Sequence, residues 1–359
     1  MFLSSIIPAS PVAALKPLGR LWGWLMKLRR EAYESGLFRS TRVSRPVISI
    51  GNITMGGNGK TPMCIYLAQT LIERGYRVAI LSRGYGRKKA PGKKDPVTVS
   101  LGEKLLTSAL RSGDEPALMA SKTKAIVVCA SKRALAAQAA IAHGAQILIL
   151  DDGFQHLPLH RDLEILMLRT RQPFGNNLVV PAGPLRENFA EHHRAQALVA
   201  VGEELTEEIK TIAGGRPLFL AHIQPTGLQD VSAGPLLPLD HLKGEAIAAF
   251  CGLARPNAFY ETLRSIGLEP RDHLSFPDHT PYGPKQISLL RRLLTSTNAR
   301  LLLTTSKDAV KLPKSLPFTV LTLETKMVVE RGDGFINYVL ERCGPFAPDF
   351  KTNKTGFLQ

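Results

Sequence analysis

The segment Gly51-Asn52-Ile53-Thr54-Met55-Gly56-Gly57-Asn58-Gly59-Lys60-Thr61 follows an apolar run at 47–50 and opens a helical pattern at Lys60. A buried strand that turns through glycines straight into a helix commits a chain to an α/β sheet, because strand and helix must cover each other. The residue types add chemistry to that geometry. Glycines let backbone N–H groups close around phosphate oxygens, the Lys60 ammonium reaches the outer phosphates, and the Thr61 hydroxyl is placed to hold a magnesium ion. The generic phosphate loop has glycine at position 54; here that residue is Thr54, and Gly56 and Gly57 supply the missing freedom. A mere tight connection asks for neither the lysine nor the hydroxyl. Thr54, Met55, Gly56, Gly57, Asn58, Gly59, Lys60 and Thr61 are therefore expected to bind nucleotide phosphates.

Further strand-like runs at 78–81, 125–129, 146–150 and 163–168 alternate with helical patterns at 60–74 and 132–143. Short apolar strands separated by helices imply a mainly parallel sheet covered on both faces, of the P-loop NTPase type. A connection rich in Pro, Gly and Asn spans 172–186. A second, smaller α/β set follows, with runs at 198–201, 246–252 and 301–304 and helices at 257–267 and 284–297. With 359 residues, more than one core serves well, the chain is expected to form two α/β lobes with a cleft between them. The expected division is an N-terminal amphipathic helix (1–35), a phosphate-loop domain (36–175), a second domain closing over the site (176–345) and a tail (346–359).

A formal charge of +16 calls for an acidic partner: nucleic acid, an anionic membrane or a phosphorylated substrate. Cys64, Cys129, Cys251 and Cys343 are widely spaced, which fits a reduced cytoplasmic setting and argues against cysteine-ligated zinc. The first 35 residues are apolar but broken by Pro8, Pro11, Lys16 and Pro17, and their positive charge follows the apolar stretch instead of leading it. They read neither as a membrane span nor as a signal peptide. Leu18, Leu21, Trp22 and Leu25 fall at helical spacing, with Lys16, Arg20, Lys27 and Arg30 opposite. That stripe either meets a membrane surface, where tryptophan is at home, or packs on the protein's own core.

Asp151 and Asp152 end the run at 146–150, where parallel sheets present their ligand side, and a carboxylate there can hold magnesium opposite Thr61. One of the two can equally cap the turn into Gly153. Gln155 and His156 follow on the same turn and could orient phosphate or substrate. Asp114, in Gly113-Asp114-Glu115-Pro116, suits a helix cap by spacing, yet a transferase also needs a carboxylate or histidine to accept a hydroxyl proton. His279 lies in a loop between Pro277 and Pro281; His192-His193 reads as a solvated pair. Lys307-Asp308 either meets a nucleotide base or caps a strand end.

In this order, several motifs together resemble one family. They are Gly59-Lys60-Thr61-Pro62, Arg83-Gly84-Tyr85-Gly86-Arg87, Gly113–Pro116 as above, Asp151-Asp152-Gly153-Phe154-Gln155-His156, Pro181-Ala182-Gly183-Pro184-Leu185-Arg186-Glu187, Gly252-Leu253-Ala254-Arg255-Pro256, Asp278-His279 and Lys307-Asp308. The family is the tetraacyldisaccharide 4′-kinases, and the resemblance spans nearly the whole chain. Ser306 departs from it, standing where an acidic residue is expected. The resemblance implies a monomeric peripheral enzyme at the cytoplasmic face of the bacterial inner membrane. It would move the γ-phosphoryl of ATP to the 4′-hydroxyl of a membrane-embedded acylated disaccharide 1-phosphate, giving lipid IVA. It further implies Asp114 and His279 as the cooperating base, Lys60 at the phosphates, and Thr61, Asp151 and Asp152 on Mg2+. Lys307 and Asp308 would then serve the nucleotide, and Arg83, Arg87, Glu115, Gln155, His156 and Arg186 the substrate. Two rivals are a P-loop ATPase on nucleic acid and a regulatory GTPase. Against the first, no zinc-finger spacing or basic-aromatic run is present; against the second, the guanine signature separates its Lys from its Asp by one residue.

Overall fold

The structure, a computed structural model, describes residues 9–87, 95–232 and 234–344; the tail expected at 346–359 and the first eight residues of the N-terminal segment lie outside the described residues. In chain order the first lobe begins with α1 (Ala9–Glu34), β1 (Val47–Gly51), α2 (Lys60–Glu73), β2 (Val78–Ser82), β3 (Val97–Leu101), α3 (Ala109–Ser112) and α4 (Asp114–Lys122). It continues with β4 (Ile126–Cys129), α5 (Arg133–Ala142), β5 (Ile147–Asp151), β6 (Leu163–Arg169), β7 (Ala197–Val201) and α6 (Glu207–Ala213). Then come β8 (Leu218–Asp230), β9 (Leu236–Leu237), β10 (Ile247–Cys251), α7 (Pro256–Ser265), β11 (His273–Ser275) and α8 (Pro284–Thr297). The chain closes with β12 (Leu301–Thr305), α9 (Ser306–Ala309), β13 (Val320–Val329) and α10 (Gly332–Cys343).

The strands join in one sheet, ordered β11-β10-β12-β13-β8-β7-β6-β1-β5-β2-β4-β3, with β9 on β8. Strands β1, β2 and β5 are buried along their whole length, as apolar strands covered on both faces must be. They run parallel with one another, so their C-terminal ends lie side by side. The second parallel set, β10 to β13, meets the first through the antiparallel pair β8/β13. Across that seam Glu324 faces Gly227 while Thr325 faces Pro225, so Thr226 is an extra residue. A bulge is where a strand interior tolerates a residue with no N–H. Beyond residue 175 the chain still serves the first lobe: β7 extends its sheet from β6, and Phe335, Ile336 and Val339 of α10 share a core with Leu67 and Leu71 of α2. All four cysteines are buried and free. His192 is not the solvated residue its neighbours suggested, since it is buried and Arg216 stands 3.1 Å from its Nδ1.

Helix α1 docks through its glycines. A Cβ at Gly19 would lie 2.6 Å from the Val179 carbonyl oxygen, and one at Gly23 the same distance from Asn188 Oδ1. Trp22 Nε1 donates to the Arg186 carbonyl (3.0 Å) and Arg29 to that of Gln155 (3.1 Å). Leu18, Leu21, Trp22, Trp24, Leu25 and Leu28 stay exposed, so the apolar stripe does not pack on the core. No helix among the described residues is long and apolar enough to cross a membrane.

Candidate active site

Gly56 (φ 100°) and Gly59 (φ 77°) hold the left-handed conformations that let the loop between β1 and α2 curl back on itself. Lys60, the first residue of α2, donates from Nζ to Asn52 Oδ1 at 3.0 Å and lies 3.5 Å from Asp152 Oδ1. Thr54, the departure from the generic pattern, braces the loop from within: Asn58 Nδ2 donates to its hydroxyl at 2.7 Å, and both residues are buried. The segment 181–187 clamps the other side, Met55 N–H donating to the Pro184 carbonyl (2.6 Å) and Arg186 N–H to that of Ile53 (2.8 Å).

Asp151 and Asp152 are adjacent in sequence and opposite in electrostatics. Asp151 ends β5, beside β1, buried and accepting from Ser82 Oγ at 3.1 Å. Burial first, then the charges of Asp152 and Glu115, push its carboxyl up to about 6. For Asp152 burial also opposes ionisation, but Lys60 and the Arg186 guanidinium, 2.9 and 2.8 Å from its two oxygens, hold its carboxyl below the usual range. Asp151, a buried carboxylate whose charge Lys60 and Ser82 offset only in part, at a strand end beside the glycine loop, is a donor that fits a hard divalent ion. Among the described residues no cluster of three or more His, Cys, Asp or Glu side chains is arranged to hold a metal unaided. Magnesium in phosphate sites takes only one or two carboxylates, its other ligands being phosphate and water.

Asp114 opens α4 behind Gly113 (φ 95°), where a Cβ would lie 2.7 Å from the Tyr85 carbonyl oxygen and so exclude any larger residue. Gly113 takes the cap position, so the Asp114 side chain is released from capping. His279 Nδ1 lies 3.1 Å from Asp114 Oδ2, brought there from the second lobe by a loop that holds His279 at φ 61°. Burial works against charge on Asp114, yet the His279 hydrogen bond and the nearby Lys311 keep its carboxyl below the usual range. The same hydrogen bond raises His279 above its ordinary value. The two clusters are neighbours. Ser82, at the end of β2, bonds Asp151, and two residues on Gly84 and Tyr85 pack against Gly113.

The remaining expected residues divide. Glu115 and Asp278 both hold Lys307, at 3.0 and 3.1 Å. Asp308 is wholly buried, accepting from Gly252 N–H (3.0 Å), Tyr282 Oη (2.9 Å) and Thr305 Oγ1 (2.7 Å). Thr305 caps the short α9 by accepting from Asp308 N–H. The partners of the Asp308 carboxylate all lie inside the second lobe, at the ends of β10 and β12 and on Tyr282 and Lys311, as the strand-end alternative describes. Gln155 Nε2 bridges the Asn52 carbonyl (2.9 Å) and Glu187 Oε1 (2.7 Å), bracing the loop from below. His156 is driven down to about 3 by burial and then by Arg133, so its ring is neutral. Arg87 pairs with Asp95, whereas exposed Arg83 has no partner among the described residues. Sequence reasoning passed over Glu187, buried Arg133 at the head of α5, and Lys311, one turn beyond Asp308. Only the three-residue spacing of Asp308 and Lys311 could have pointed to the last.

Strand, glycine loop and helix in this order, inside a mainly parallel sheet with carboxylates at the next strand's end, place the chain in the P-loop class of phosphate-binding proteins. Comparison with known proteins narrows the class. The chain belongs to the tetraacyldisaccharide-1-P 4′-kinase family, whose family model matches residues 12–343. The tetraacyldisaccharide 4′-kinase of Syntrophus aciditrophicus is 39% identical over 335 residues, covering 88% of each chain. That of Geobacter metallireducens is 39% identical over 303 residues, covering 84% of this chain and 88% of its own. Among solved structures, LpxK from Aquifex aeolicus, crystallised in complex with ATP, superimposes with a TM-score of 0.75 at 32% identity, over 92% of this chain and 99% of that one.

Proposed function

We propose that this site carries out the reaction of its family: transfer of the γ-phosphoryl group of ATP to the 4′-hydroxyl of a tetraacylated disaccharide 1-phosphate. The loop from Thr54 to Thr61 cradles the phosphates, and Lys60 neutralises charge as it spreads over the migrating phosphoryl group. Asp151 and Thr61 would hold Mg2+, with Asp152 beside them; bound there, the ion would supply positive charge to offset the charge that develops on the phosphates. Asp114, oriented by His279, accepts the proton of the attacking hydroxyl. Arg83, whose guanidinium has no partner among the described residues, and Arg186 are suited to phosphate oxygens by their planar forks. Glu115, Gln155 and His156 line the acceptor side, and Lys307 steadies Glu115.

The observation that carries this reading is the 3.1 Å contact between Asp114 of one lobe and His279 of the other, beside the strand ends that hold the glycine loop. A capping aspartate and a loop histidine have no structural reason to meet there. The first lobe, built on 36–175 with the 181–187 strap, β7 and α10 added, would act as the nucleotide domain and the rest of the expected 176–345 unit as the closing domain, shutting out water that would otherwise be phosphorylated. The exposed Leu/Trp stripe of α1 supports peripheral attachment to the anionic lipid of the inner membrane's cytoplasmic face, where the enzyme would act as a monomer. The direct test is to incubate the purified chain with γ-labelled ATP, Mg2+ and the disaccharide 1-phosphate glycolipid. Label should enter the lipid fraction at the 4′ position; label released only as inorganic phosphate would refute the kinase assignment.

A further inference from the structure

A buried row of charge lies behind the proposed base. Lys311 Nζ stands 2.9 Å from Asp308 Oδ1 and 3.5 Å from Asp114 Oδ2, with its side chain only 5% exposed and the Tyr282 ring 5.3 Å away. Asp308 is anchored at the ends of β10 and β12 by Gly252 N–H and the Thr305 hydroxyl, and by the Tyr282 hydroxyl. Three neutral donors already satisfy much of that carboxylate, so Lys311 is not needed there for hydrogen bonding alone. A cation so deeply buried is costly unless its charge is answered, and Asp114 supplies the second answer.

His279 and Lys311, both from the second lobe, converge on the same oxygen of Asp114. Asp114 Oδ1 makes no hydrogen bond among the described residues. We infer that Lys311 is a positioning residue for phosphoryl transfer: braced on Asp308, it fixes the Oδ2 edge of Asp114 together with His279 and leaves Oδ1 to meet the acceptor hydroxyl. The inference rests on the reading of Asp114 as the base. Lys311 also opposes proton uptake by the Asp114–His279 pair, which titrates as a unit. The other ionisable groups facing this pair are Glu115, Asp278, Lys307, Tyr85, whose ring lies 5.2 Å from that of His279, and Asp308 and Tyr282 behind Lys311.

The experiment is the pH profile of kcat, at saturating ATP and acceptor, for wild type, Lys311→Met and Lys311→Arg. Without the cation the pair binds its proton more tightly, so the acidic limb of Lys311→Met should move to higher pH by about one unit. Its kcat on the plateau should fall roughly tenfold, with the KM for ATP unchanged. Lys311→Arg retains the charge and should keep the wild-type limb. Lys311→Gln, neutral but still able to donate to Asp308, carries the same test where the Met variant does not fold. An acidic limb that stays put in the neutral variants, or an Arg variant as impaired as they are, would overturn the inference. Asp114→Ala run alongside separates the two levels: if it keeps full kcat, the base assignment fails; if it is inactive while the neutral Lys311 variants keep the wild-type limb, only the role of Lys311 fails.

Discussion

The phosphate end and the acceptor end of this site are both carboxylates flanked by cations, yet they are built in opposite ways. At the phosphate end Asn52, Thr54, Asn58 and Lys60 brace one another within a single turn of chain between β1 and α2. At the acceptor end Asp114 of the first lobe is held by His279 and Lys311 of the second, across the β8/β13 seam. The hydrogen bonds that hold this loop come from the loop itself, from Gln155 and from the 181–187 strap, none from the β10–β13 set among the described residues. A pair that spans the seam is complete only when the lobes are in register, so on the closure proposed above it would be the place where substrate binding licenses chemistry.

This contrast predicts different kinetic signatures. Lys60→Ala removes the cation proposed to meet the transferring phosphates, and kcat/KM for ATP should fall about a thousandfold. Asp114→Asn keeps the shape of the acceptor end but removes the proposed base; kcat should fall roughly a hundredfold while the KM for ATP holds. Steady-state kinetics at fixed saturating acceptor decide both. If Asp114→Asn raised the KM for ATP as strongly as Lys60→Ala, the two ends would not be separable.

A smaller effect concerns stability. His279 is raised above its ordinary 6.5, so what it contributes is full below that value and lost as pH rises through its folded pKa. Asp114 is depressed below 3.8, so its contribution is full above that value and lost as pH falls through its folded pKa. The window in which both act therefore lies between about pH 4 and 6.5. The Tm difference between wild type and Asp114→Asn should be largest there and shrink on either side. A difference that grew steadily toward pH 9 would contradict the pairing.

The same contrast governs what could be read from residues alone. The loop was legible down to Thr61 because a strand, glycines and a helix in sequence leave the backbone little choice. Most of the parallel strands were legible as apolar runs; β11, a three-residue His-Leu-Ser edge strand, was not. β8 and β13, the longest strands, were not: Pro225 and Gly227 interrupt one, and Glu324 and Lys326 break the apolar run of the other. Their partner is each other, and the bulge at Thr226 that admits the proline exists only once they pair. The acceptor end lay beyond local reasoning for the same reason. By spacing Asp114 suited a cap; Gly113 takes that position, and what occupies the carboxylate comes from far along the chain. Family resemblance named the pair, but nothing in it pointed to Lys311.

The least drastic perturbation sharpens the comparison from outside the site. Helix α1 has two working faces: Gly19 and Gly23 dock on the 179–188 segment, and Leu21, Trp24 and Leu25 face solvent. Replacing Leu21 and Leu25 by Ser removes apolar area from the outer face only. Partitioning onto vesicles containing anionic lipid should weaken about tenfold or more, since Leu21 and Leu25 are each about half exposed and each can add about half of the roughly 1.5–3 kcal/mol of a fully buried leucine. Turnover of a detergent-dispersed acceptor should not change, because no bond from this face reaches the loop. Gly19→Val acts the other way: its Cβ would collide with the Val179 carbonyl, displacing the strap whose Arg186 N–H clamps Ile53. That variant should lose turnover in detergent while its outer face remains intact. If both variants lost vesicle binding and turnover together, the helix would be one cooperative unit with the phosphate end, and the local bracing of that end would be incomplete without it.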